Sequence, residues 1–292
     1  MKKLLNISDL TKNDFLEILK FADELKSINK PILDGKNIGL IFEKNSTRTR
    51  LSFQVGIRNL SGNYIDIKFD ELNLNRFETF EDTFEIMNCY LDCIVFRTTD
   101  HKKLELAYEY FQKPLINALS DISHPCQAIS DIFTLKEQFG SINDLNIVWM
   151  GDMNNVLFSL VEIINFTENT KIDVFTNEKI FQENKENFNL NENINFHFDI
   201  NSEIISKSNC LMTDVFTSMN DKDDKEDLLK KFQVNDKIMT LTNEKTVFMH
   251  CLPAKVGSEV TDEVIKGKKS IVLSQAKNRL VAQKGILKWL SI

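Results

Sequence analysis

Short apolar runs alternate along the chain with stretches whose apolar residues recur every three to four positions. The runs at 38–42, 64–69, 93–98, 146–150, 171–175, 193–198, 209–215, 246–250 and 270–273 are rich in Ile, Val, Leu and Phe, which predicts strands. Helical spacing predicts helices at 47–60, 80–91, 125–139, 156–167, 225–232 and 277–290. An N-terminal helix places Leu16, Leu19, Ala22 and Leu25 on one face, with Ser8 as its cap. Strand and helix alternating in this way predict an α/β fold with mostly parallel sheets. The polar segments 182–193 and 221–224 are expected to be surface loops. There is no internal repeat in the sequence.

At 292 residues, the chain exceeds one typical domain length of about 150, so two domains are expected. The division is expected on the helix 125–139, because 146–152 looks like the first strand of a fresh α/β unit. With 42% hydrophobic and 27% charged residues, the composition excludes collagen-like, low-complexity and disordered classes. The 36 basic residues against 43 acidic give a net charge of -7 without any basic block. That argues against nucleic acid and membrane surfaces as partners. A phosphate-bearing small molecule is still compatible, since it needs only a local basic site.

The five cysteines (Cys89, Cys93, Cys126, Cys210, Cys251) are odd in number and irregularly spaced, which is not a disulfide framework. Cys89 and Cys93 lack companions for a zinc site and are expected to be buried, reduced thiols. No apolar run approaches the roughly 18 residues of a membrane span, and the N-terminus does not read as a signal peptide. A cytoplasmic protein is therefore expected.

Four segments stand at strand ends or helix starts, where open α/β sheets bind ligands. In 42–50, Ser46 is placed to cap a helix whose first turn carries Thr47, Arg48 and Thr49. Free N–H groups at a helix start, hydroxyls and guanidiniums suit a phosphate. An ordinary Ser-capped helix with exposed arginines fits the same residues, and the glycines of a Walker loop are missing. In 123–127, Pro125 fits the first helical position, so His124 sits at a helix start with Gln127 just inside. In 151–156, a single Gly151 does not make a dinucleotide fingerprint. There, Asn154 and Asn155 either cap the next helix or bind a polar substrate. In 249–254, Cys251 follows His250, but adjacent strand residues face opposite ways, which makes His250 a poor base for Cys251.

Taken together, these segments resemble the aspartate/ornithine carbamoyltransferase family. Ser46-Thr47-Arg48-Thr49-Arg50 is similar to its carbamoyl-phosphate motif, and His124-Pro125-Cys126-Gln127 to its second motif. Gly151–Val156, Asp214-Val215-Phe216-Thr217-Ser218-Met219, His250-Cys251-Leu252-Pro253 and Gln275-Ala276-Lys277-Asn278-Arg279 resemble segments of the ornithine branch. The match runs in order over nearly the whole chain. Asn220, Val256 and Ser274 depart from the Gly, Arg and acidic residue usual there.

The resemblance implies two similar-sized α/β domains with the active site in the cleft between them. Residues 1–133 with a returning helix 275–292 would bind carbamoyl phosphate, and 134–274 would bind L-ornithine. It implies Ser46, Thr47, Arg48 and Thr49 as phosphate ligands. Arg97 and His124 would act at the carbonyl oxygen, and Gln127, Cys251, Leu252 and Arg279 at the carbamoyl end. Asn155, Asp214, Ser218 and Met219 would hold ornithine. A role for Cys251, accepting a proton or positioning the amine, stays open beside proton transfer to phosphate. Citrulline and phosphate would be the products, in arginine biosynthesis or in citrulline breakdown. No metal or organic cofactor is implied, and a homotrimer or a multiple of one is. Another amine such as putrescine or N-acetylornithine, a non-catalytic relative and a nicotinamide dehydrogenase remain as alternatives.

Overall fold

The computed structural model describes residues 2–75, 77–188, 191–217 and 225–292. The chain forms two compact units, Met1–Ser130 with Asn278–Ile292, and Asp131–Lys277. The sequence-based division lay at 133/134 and 274/275.

The first unit runs β1 (Lys3–Leu4), α1 (Lys12–Leu25), β2 (Asn37–Phe42), α2 (Thr47–Asn59), β3 (Asn63–Lys68), α3 (Phe80–Tyr90), β4 (Cys93–Arg97), α4 (His101–Tyr110), β5 (Leu115–Leu119) and the start of α5 (Pro125–Phe139). Its parallel sheet has the order β1-β5-β4-β2-β3. β4 is apolar and buried almost throughout because helices cover both faces, whereas β3 is a half-exposed edge. Phe84, Phe96, Phe111 and Leu115 fill part of the core.

The second unit runs β6 (Asn146–Met150), α6 (Asn155–Ile164), β7 (Lys171–Phe175), α7 (Glu178–Asn184), β8 (Ile194–His197), α8 (Ser202–Ser206), β9 (Cys210–Thr213), α9 (Glu226–Leu229), α10 (Asp236–Leu241), β10 (Val247–His250), α11 (Asp262–Ile265) and α12 (Val272–Leu290), whose end belongs to the first unit. Its sheet is also parallel, in the order β10-β9-β6-β7-β8. Trp149, Phe175, Phe216, Phe232 and Phe248 are buried in it.

Several elements differ from the sequence expectation. The cap of α1 is Thr11, not Ser8: its hydroxyl accepts from Asp14 N–H at 3.1 Å, and Asp14 answers to the Thr11 N–H at 3.0 Å. The buried face of α1 is Phe15, Ile18, Leu19, Ala22 and Leu25, while Leu16 is 42% exposed. The run 270–273 is not a strand. Only Ser270 bridges, to Phe248, and α12 begins at Val272. β1, α4 and β5 were not expected. Part of the polar segment 182–193 is helical, in α7 and a 3-10 turn at Lys185–Asn187. Segment 221–224 lies outside the described residues.

The cysteines are free; Cys93, Cys126 and Cys210 are buried, but Cys89 is exposed, against expectation. Burial pushes the Cys126 thiol up to about 12, although Arg279 works in the other direction. No described helix is long and apolar enough to cross a membrane.

Candidate active site

The chain order of the first sheet reverses between β2 and β4, and a reversal of this kind opens a crevice beyond the strand ends. The register pairs Phe42 with Arg97, the last residues of the two strands. The backbone of Ser46 stands at the N-cap of α2 as expected, but its hydroxyl does not cap. It accepts instead from Arg97 Nη1 at 3.0 Å. Thr47, Arg48 and Thr49 form the first turn; Thr47 is exposed, Arg48 half-buried and Thr49 buried. Thr49 Oγ1 accepts from Arg279 Nη2 at 2.8 Å, and Arg279 Nη1 donates to Gln127 Oε1. Arg50 takes a different path, stacking 4.8 Å from the Phe42 ring.

His124 precedes Pro125 at the start of α5 and is 4% exposed. Burial, then the positive charges of Arg279 and Arg97, hold its pKa well below the usual histidine range. The imidazole is therefore neutral at physiological pH. The arrangement is a helix start with two guanidiniums and a neutral imidazole, suited to a phosphate ester and an oxygen that gains negative charge.

Arg279→Met removes one of the two charges acting on His124. The His124 pKa is expected to rise, yet stay below about 6.5 because burial remains the larger cause. NMR titration of the imidazole checks this, and an unmoved titration would refute it.

In the second sheet the order reverses between β6 and β9. Gly151 follows β6 with φ +130°, and a Cβ there would lie 2.9 Å from the Phe216 ring, so the turn requires glycine. Asn154 caps α6: its Oδ1 accepts from the N–H groups of Val156 and Leu157 at 3.0 and 3.2 Å. Its Nδ2 donates to Asp214 Oδ2 at 2.9 Å. Asn155, the residue expected from sequence, is the half-buried first residue of α6. Asp214 is 7% exposed, and its Oδ1 accepts from the Cys251 thiol at 3.1 Å. Ser218 and Met219 lie outside the described residues.

His250 is a poor base for Cys251 for a different reason than strand alternation: a ring nitrogen lies within 4.8 Å of the sulfur, but both nitrogens have other partners. Its Nε2 meets Glu259 Oε1 at 3.1 Å, and its Nδ1 accepts from Leu252 N–H at 2.9 Å. The backbone N–H of His250 donates to Gln275 Oε1, and Gln275 Nε2 donates to Asp131 Oδ1. These bonds hold Leu252 in a left-handed conformation, φ +59°, that a branched side chain rarely adopts. Asp214, His250 and Cys251 bring potential metal-binding atoms within 4.8 Å of one another, but both ring nitrogens of His250 are already engaged. Asp152, buried beside Gly151, pairs with Lys225 Nζ at 2.9 Å.

Sequence reasoning missed Asn154 as the partner of Asp214, and also Glu259, Gln275 and the Asp152–Lys225 pair. Asn154 is legible as a helix cap. Its second bond reaches a residue 60 positions away, for which no local pattern exists.

The family model described as the carbamoyl-P binding domain of aspartate/ornithine carbamoyltransferases matches residues 2–137, and the Asp/Orn binding domain matches 143–290. The ornithine carbamoyltransferase of Archaeoglobus fulgidus is 38% identical over 98% of this chain and 96% of its own length. That of Methanosphaera stadtmanae is 39% identical over 98% of each. Among solved structures, ornithine carbamoyltransferase from Thermus thermophilus superimposes with a TM-score of 0.89 at 32% identity, covering 100% of this chain and 99% of that one. The Pyrococcus furiosus enzyme gives 0.87 at 35% identity, covering 98% and 96%. With both domain models matched in order and relatives this similar over nearly the whole length, the chain belongs to the aspartate/ornithine carbamoyltransferase family.

Proposed function

We propose that the chain transfers the carbamoyl group of carbamoyl phosphate to the side-chain amine of L-ornithine, and that the residues gathered in each unit divide the work. Carbamoyl phosphate is held in the first unit by Ser46, Thr47, Arg48, Thr49 and Arg97. His124 and Arg97 donate to the carbonyl oxygen as it gains charge. Gln127 and Arg279, with the backbone near Cys251 and Leu252, fix the carbamoyl end. The second unit holds ornithine with Asn155, Asp214, Ser218 and Met219, and Asp214 takes the α-ammonium. The side-chain amine, with a pKa near about 10.4 by analogy with lysine, must lose a proton before attack. A C–N bond then forms, the C–O bond to phosphate breaks, and citrulline and phosphate result.

The observation that carries this reading is the convergence of Arg97 and Arg279 on one buried, neutral histidine at a helix start. Citrulline formation from carbamoyl phosphate with a panel of amines tests it. Ornithine is expected to exceed putrescine and N-acetylornithine in kcat/KM by about 10²-fold or more, because a site built for an α-amino acid rejects ligands that leave its polar groups unpaired. A preference for either competitor would overturn the assignment, and no citrulline with any amine would favour a non-catalytic relative.

A homotrimer, or a multiple of one, fits the exposed apolar residues Leu51 and Val55 on α2, Ile65 on β3, Ile86 and Tyr90 on α3 and nearby Phe77. The free thiols fit a reducing compartment such as the cytoplasm. Citrulline formation would serve arginine biosynthesis, and the same residues acting in reverse would serve citrulline breakdown.

A further inference from the structure

Glu43 is the first residue after β2, and the chemistry above does not use it. Its side chain is only 8% exposed, yet it carries a carboxylate. Oε2 accepts from Thr98 Oγ1 at 2.7 Å, from Thr99 N–H at 2.9 Å and from Thr99 Oγ1 at 3.3 Å. Oε1 takes Lys103 Nζ at 2.6 Å. The backbone N–H of Glu43 donates to the carbonyl of Arg97 at 3.0 Å. Glu43 thus grips the three residues at the end of β4: Arg97 by its backbone, Thr98 and Thr99 by its carboxylate.

Arg97 grips back. Its Nη1 donates to Ser46 Oγ, three residues beyond Glu43. The β2 loop and the β4 end are therefore tied twice, once in each direction, and the second tie is made by groups assigned to the phosphate.

The geometry points to Glu43 as a positioning residue that sets the Arg97 guanidinium against Ser46 and so shapes the phosphate pocket. It does not itself touch substrate. A carboxylate suits this task because a single oxygen accepts from two hydroxyls and a backbone N–H at once, which an alkyl side chain cannot do. Burial works against the charge, but the bonds from Lys103, Thr98 and Thr99 outweigh it and hold the carboxyl below its usual range. The clamp is therefore intact throughout the neutral range.

This inference rests on the reading of Ser46 and Arg97 as phosphate ligands, so the test separates the two. In the full-length protein, inorganic phosphate affinity is measured by calorimetry, and KM for each substrate by citrulline formation. Glu43→Leu is expected to raise the phosphate Kd and the carbamoyl-phosphate KM by about 10- to 100-fold, the scale on which small misplacements of a positioning group act. KM for ornithine at saturating carbamoyl phosphate should stay within about twofold, a split that general loosening of the fold would not produce. Glu43→Gln keeps an acceptor for Thr98 and Thr99 and should recover most of the phosphate affinity.

If Glu43→Leu does not fold, Thr98→Val removes one donor and leaves the carboxylate with its other partners. It should raise the phosphate Kd about tenfold, in line with one lost hydrogen bond to a charged group. Unchanged phosphate affinity in Glu43→Leu, or in Thr98→Val if the first is unfolded, overturns the inference. Arg97→Met is the control. If it leaves phosphate binding intact, the pocket assignment itself fails. If it abolishes binding while Glu43→Leu does not, only the clamp fails.

Discussion

Replacing His124 with phenylalanine is expected to lower kcat for citrulline formation by about 10²–10³-fold, the usual cost of one donor at a developing oxyanion. Phenylalanine keeps the ring and removes the N–H, so the change reports the donor rather than a cavity. The imidazole is a good candidate because it is neutral. Burial and the guanidiniums of Arg279 and Arg97 keep it unprotonated, and the same guanidiniums already supply the positive field. The pH profile of the wild type should consequently lack a histidine limb near about 6.5. A kcat within about threefold of wild type would remove His124 from the chemistry, because a preorganised donor is far more costly to lose.

The same depressed pKa has a consequence for stability. The folded state resists protonating His124, whereas the unfolded chain takes the proton as pH falls through about 6.5. The contribution is fully present above that pH and is lost toward acid, at up to about 1.4 kcal/mol per pH unit. Denaturation at pH 7.5 and 5.5 should show a smaller acid loss for His124→Phe than for wild type. Equal losses would contradict the burial of a neutral imidazole.

The parts legible in the sequence were those with a local cause. The segment opening at Ser46 follows an apolar run, so its place at a strand end could be read directly, and Pro125 marked the start of α5. β5 was harder to read because Asn117 interrupts its apolar pattern. That asparagine is buried, and its amide serves the Leu5 carbonyl at 2.8 Å. The run 270–273 misled because Ile and Val favour strands, but it makes a single bridge to Phe248, closed by the Ile271 N–H to the Phe248 carbonyl at 3.0 Å, and then winds into α12. Side-chain partners were the least legible. Ser46 gave its hydroxyl to Arg97, 51 residues on, rather than to its own helix. Glu43 found Thr98, Thr99 and Lys103, all more than 50 positions away. Such choices follow from the order of strands in the sheet, which no local spacing encodes.

The order of strands also brings Cys251, after β10, to Asp214, after β9, and their roles should separate in a pair of variants. Asp214→Asn is expected to reduce kcat/KM for ornithine by about 10²-fold or more, because hydrogen bonds to a charged group contribute about 1.5–3 kcal/mol each. Carbamoyl-phosphate KM should be little changed. Cys251→Ser should behave differently. In the resting site the thiol is a donor to Asp214 Oδ1, so the sulfur already holds a proton and is poorly placed to take one from the amine. Serine retains the donor to the Asp214 carboxylate, so the loss in kcat should be no more than about tenfold, the cost of weakening that bond without removing it. The pH profile should keep its shape. If Cys251→Ser instead matches Asp214→Asn and the alkaline limb moves, the proton passes through sulfur to the carboxylate. If neither variant shifts the profile while both retain turnover, the leaving phosphate is the acceptor, and Asp214 serves only to hold the α-ammonium.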